Sequence, residues 1–306
     1  MATFVPLGPQ TSTVERRRVW GDALRERKRR FEERAEVERS RRRSIAFAFE
    51  LVNRDSEVGG GILAGALAYR FFIWMLPLAL VAVAGLGIAA DSAEETPEET
   101  AKSVGLGGLL SSSIAGAAES PNRWYALLIG VPVLLWTTRS LLRALIGAHR
   151  LIWLDVRHGA PRPTPLASVR LLALLLGLVL VAASAHAIRD WLPGVGVIAT
   201  FVIALPYALL WLLVSLRLPH RDAPVAALIP GAVFFGIGLE LLHIGAALLL
   251  VPYAIDKQGT YGALGGAAAL LFGLFLACRL IVGAAEVNTT LWEARERRER
   301  PARGVG

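Results

Sequence analysis

The chain has 306 residues, 54% of them hydrophobic and only 19% charged, with a mean hydropathy of +0.50. This excludes a disordered chain, which needs low hydrophobicity, and departs from an ordinary soluble domain, where about 25% of residues are charged. The net charge of +8 and pI of about 10.3 demand an anionic partner, while a lone cysteine, Cys278, excludes an internal disulfide and a cysteine-rich zinc site.

Residues 1–59 carry 14 Lys/Arg and 10 Asp/Glu and no apolar run near the start, so no cleavable signal peptide is expected. Trp20, Leu24, Phe31 and Ala35 recur at helical spacing, as do Ile45, Phe49 and Val52. The segment reads as a cytoplasmic helical arm whose second helix lies in the membrane interface. Residues 60–290 then read as a six-span membrane domain, because a span needs about 20 mostly apolar residues. The spans are predicted at about 62–90, 124–154, 167–187, 194–216, 223–251 and 261–285. Between the first two, Thr96-Pro97-Glu98-Glu99 has the pattern of a helix start, with Thr96 as cap and Glu99 closing a capping box. Val104, Leu109, Leu110 and Ile114 extend that helix along the outer surface. Residues 291–306 form a basic cytoplasmic tail.

Orientation follows from the basic residues. With the N-terminus in the cytoplasm, cytoplasmic segments hold 25 Lys/Arg and outer segments hold 4. Both termini are therefore cytoplasmic. The fold class is an all-α, polytopic membrane helical bundle.

Four arginines remain inside the spans, at a cost of about 2.5–3.5 kcal/mol each at a bilayer centre. Arg70 (span 1), Arg139 and Arg143 (span 2) and Arg279 (span 6) all fall in the cytoplasmic half. Glu240 lies nearer the middle of span 5, with His243 one turn on, and Glu286 closes span 6. These residues are the candidate ligand-binding set. Guanidinium groups pair bidentately with phosphate, so they suit an anionic lipid head group or another anionic solute in an inward-facing cavity. Arg70 and Arg279 are expected to approach each other, or Glu240, around that cavity. The competing reading has the arginines reaching the inner interface with their stems buried, and Arg279 paired structurally through another span. Glu240 with His243 could relay a proton or neutralise an arginine.

In span 1, Ala66-Leu67-Ala68-Tyr69 is followed eight residues after the tyrosine by Pro77. Pro230-Gly231 heads span 5, Tyr253 and Tyr261-Gly262 flank the last outer loop, and Glu286 and Asn288 end span 6. In this order and spacing the chain resembles the YihY/BrkB family of inner-membrane proteins, once labelled ribonuclease BN, over roughly residues 45–292. The resemblance implies a multi-pass protein of the bacterial inner membrane, linked with envelope roles and with lipid or solute transport.

Enzyme chemistry finds little support. The five histidines are dispersed, and no metal-ligand spacing, P-loop or nucleophile elbow is present. No catalytic residue, metal or cofactor is expected. The basic residues flank spans, which topology explains without a nucleic-acid partner. The leading function is transporter-like, with membrane lipids as partners and a homo-oligomer compatible with the pattern. The alternative is a non-catalytic envelope or scaffold protein acting through its cytoplasmic arm, and a membrane ribonuclease ranks last.

Overall fold

A computed structural model describes residues 43–93, 123–154, 163–191, 196–246 and 251–303. The arm residues Trp20 to Ala35 and the outer-loop residues 96–114 lie outside these, as do the side chains of Tyr253, Tyr261 and Gly262. Among the described residues the chain forms seven helices and no strand: α1 (Arg43–Val58), α2 (Gly60–Ala93), α3 (Arg123–Ile152), α4 (Pro165–Trp191), α5 (Gly196–Ser215), α6 (Val225–Gly245) and α7 (Val251–Arg303). Two compact units divide the chain at Asn53/Arg54. Of the first, only the helical residues 43–53 are described; everything below concerns the second.

Five stretches are long and apolar enough to cross a membrane: Gly60–Gly85, Trp124–Ile152, Pro165–Ala182, Val225–Gly245 and Ala267–Arg297. The fourth predicted span, 194–216, coincides with α5, which contributes the shorter apolar stretch Val202–Ser215. The chain is an all-helical membrane bundle. Neighbours in sequence pack in space: α2 on α3, α3 on α4, α4 on α5, α5 on α6 and α6 on α7. Helix α7 then packs back on α2, so the six helices close into a ring.

The end of the ring departs from the sequence reading. Residues 251–260, read as an outer loop, belong to α7, and so does the tail as far as Arg303. One helix of 53 residues replaces loop, span and tail. Pro252 sits in its first turn, where a missing N–H costs nothing. Beyond Glu286 the sequence is rich in Arg and Glu, good helix formers with no reason to stop.

Packing follows membrane rules. Lipid is as apolar as leucine, so helices associate through close fit and interhelical hydrogen bonds. Large apolar side chains accordingly point outward, such as Trp136 at 68% exposure and Leu205 at 70%. Inside, Leu67, Trp74, Leu141, Leu145, Phe235 and Val282 form the core. Small residues bring the backbones together where α6 meets α7. A Cβ added at Gly231 would run into the carbonyl oxygen of Ala284 and lie 2.6 Å from the Asn288 amide. The turn between α1 and α2 is made by Gly59 at φ +66°, a left-handed conformation that glycine adopts without strain.

Candidate functional site

Arg70 and Arg143 are brought together. Helix α2 contributes Tyr69, Arg70 and Ile73, and α3 contributes Trp136, Thr137, Ser140, Arg143 and Ala144. The α3 residues recur at three- and four-residue spacing, which places them on one helix face. Between the helices lies a cavity of about 550 Å³. Arg70 donates from Nη1 to Ser140 Oγ at 2.9 Å. Neither guanidinium pairs with a described carboxylate. Arg139 is exposed, one position off the Ser140 face, and does not line the cavity.

A polar strut fixes the distance between the two cavity walls. The Trp74 indole N–H donates to Thr138 Oγ1 at 2.9 Å, and the Thr138 hydroxyl donates to the Leu134 carbonyl at 2.7 Å. All three residues are buried. A buried, satisfied chain of this kind specifies one helix register, because any slip strands a polar group in an apolar setting.

The other predicted charges go elsewhere. Arg279 donates from Nη1 to Asp55 Oδ1 at 2.6 Å and does not line the Arg70 cavity, so the expected meeting of Arg70 with Arg279 gives way to a structural pair. Asp55 is held against Glu286 by Gly60: a Cβ there would meet both the Asp55 carboxylate and Glu286 Oε1. Glu286 is 2% exposed, and its Oε1 has no hydrogen-bond partner. Beside it, Arg54 grips Glu293 bidentately, Nη1 to Oε2 at 2.8 Å and Nη2 to Oε1 at 3.0 Å, and also donates to the Ile152 carbonyl at 3.0 Å. This cluster ties the end of α1 to α7 and to the end of α3. Glu240 is fully buried and His243 half-buried on α6, and neither lines the arginine cavity.

The motif residues divide by task. Leu67, Ala68 and Pro77 are buried, Ala66 is exposed, and Tyr69 lines the cavity. Pro230 is half-buried at the α6 entry, and the Gly231 N–H donates to Asn288 Oδ1 at 2.7 Å. Two motifs 57 residues apart thus meet as one contact. Sequence reasoning missed Ser140, the Trp74–Thr138 strut, Arg54, Asp55 and Glu293. The only available signal was an Arg-Asp pair just before the Gly59-Gly60-Gly61 turn.

A family model described as virulence factor BrkB matches residues 54–305. No curated protein and no solved structure matches the chain.

Proposed function

From the membership of this chain in the BrkB virulence-factor family, we propose that it is a non-catalytic, transporter-like protein of the bacterial inner membrane that binds and moves an anionic lipid or solute. The observation that carries this reading is the cavity of about 550 Å³ with Arg70 and Arg143 on facing helices and no described carboxylate to neutralise them. Two guanidiniums at membrane depth are costly to keep, and a phosphate or carboxylate bound between them offsets that cost through charge-assisted hydrogen bonds. Ser140 and Thr137 supply hydroxyls at the same surface. Tyr69 and Trp136 provide apolar area for the rest of the ligand.

The test is flux of labelled anionic lipid in proteoliposomes. An Arg70→Ala, Arg143→Ala double variant loses flux by about a hundredfold or more, since two charged hydrogen-bond partners are lost at roughly 1.5–3 kcal/mol each. A double variant that folds and transports as wild type overturns the proposal. Truncation of residues 1–44 separates it from the scaffold alternative: a transporter keeps its flux, and a scaffold loses function.

A further inference from the structure

A second polar mouth lies on the other side of α3. A cavity of about 240 Å³ has Arg170 and Arg217 at its rim and Leu142, Ile146, Leu171 and Val214 in its walls. Leu142 and Ile146 stand about 200° and 240° around α3 from Ser140 at 100° per residue, so this cavity is separate from the Arg70 site. Both rim arginines are exposed, and neither forms an ion pair with a described residue. Thr164 caps the start of α4 here, its Oγ1 accepting from the Ala167 N–H at 3.2 Å, which adds the positive end of that helix to the rim.

Below this cavity lies another, of about 200 Å³, lined without a single charged side chain. The two follow each other along the same pair of helices. On α4 the lining passes from Arg170, Leu171 and Leu174 in the first to Leu175, Leu178 and Val179 in the second. On α5 it passes from Val214 to Trp211. Trp211 stacks on Phe235 with ring centroids 4.3 Å apart, which gives the inner chamber a flat aromatic wall. From Arg170 to Val179 the rise is about 14 Å.

We propose that these two cavities form one site for an anionic phospholipid, with the phosphate between Arg170 and Arg217 and one acyl chain running down α4 into the chamber floored by Cys278. A basic rim above an apolar shaft matches an amphiphile and no fully soluble anion. The guanidiniums take the phosphate in bidentate geometry, and the acyl chain lies along an apolar lining that carries no charge. The site is independent of the Arg70–Arg143 reading.

The experiment uses the full chain in phosphatidylcholine nanodiscs holding a trace of phosphatidylglycerol with a photoactivatable group on one acyl chain. Irradiation followed by peptide mass spectrometry maps the adducts. The site predicts adducts on residues 174–179 of α4 and on the peptide containing Cys278. An Arg170→Gln, Arg217→Gln variant lowers them by about tenfold or more. Leu178→Trp, which fills the chamber, removes the deep adducts while leaving the arginines in place. Arg70→Ala, Arg143→Ala leaves them unchanged, so failure of the transport reading and failure of this one are distinguishable. The proposal is overturned if a phosphatidylcholine probe labels the same residues equally. Labelling that survives loss of both arginines also overturns it.

Discussion

Replacing Gly231 with alanine tests the claim that close backbone approach holds α6 to α7. The new methyl would overlap the Ala284 carbonyl oxygen and stand 2.6 Å from Asn288 Cγ and Nδ2. Ordinary contact is about 3.5–4.0 Å, so the helices must part by roughly an ångström. That movement also stretches the 2.7 Å bond from the Gly231 N–H to Asn288 Oδ1. Overpacking costs about 1–3 kcal/mol and the lost hydrogen bond about 1 kcal/mol, against a gain of about 0.5–1 kcal/mol for alanine over glycine within a helix. The net destabilisation is about 1–3.5 kcal/mol, equivalent to a fall in Tm of roughly 2–5 °C for a chain of this size. Thermal unfolding in detergent, followed by intrinsic tryptophan fluorescence, measures it. Gly273→Ala is the control, since a Cβ there meets nothing within 4 Å. If Gly231→Ala is as stable as Gly273→Ala, the close-approach argument fails.

The remaining predictions concern single contacts. Arg54→Ala lowers stability by about 3 kcal/mol, the low end for breaking a buried pair, because Glu293 keeps 26% side-chain exposure; Glu293→Ala has a smaller effect, and a double-mutant cycle by urea unfolding in mixed micelles returns a coupling of at least about 1 kcal/mol. Trp74→Phe removes the donor to Thr138 and costs about 1–2 kcal/mol in the same assay, whereas Trp124→Phe, exposed at the start of α3, costs less than about 0.5 kcal/mol. Cys278 is fully buried, so a water-soluble maleimide labels the folded protein in detergent only after denaturation; prompt labelling would contradict the core packing.

Much of the helical architecture was legible because span-length apolar runs have few alternatives: backbone polar groups in lipid must be satisfied within the helix. Arg70 and Arg143 were identifiable for the same reason, since charge in such a run is conspicuous. Which of the arginines would share a cavity was not legible. Depth along a helix follows from counting residues, but azimuth depends on how the ring closes. Arg279 illustrates this, because its partner Asp55 lies 224 residues away. The strut from Trp74 to Thr138 was hidden differently: each residue alone reads as ordinary membrane composition, and only the α2–α3 register brings them to 2.9 Å. Residues 251–260 read as a loop between two spans where the chain continues as helix, since a break in the apolar run at Asp256 and Lys257 does not by itself end a helix.

The uninterrupted course of α7 has a mechanical meaning. At 1.5 Å per residue its 53 residues extend about 80 Å, well over twice the thickness of a hydrocarbon core. The same rod carries Cys278, Ile281, Val282 and Ala285 into the core, meets Gly231 through Asn288 and brings Glu293 to Arg54, so one continuous helix joins the packed interior of the membrane domain to the basic end of the chain.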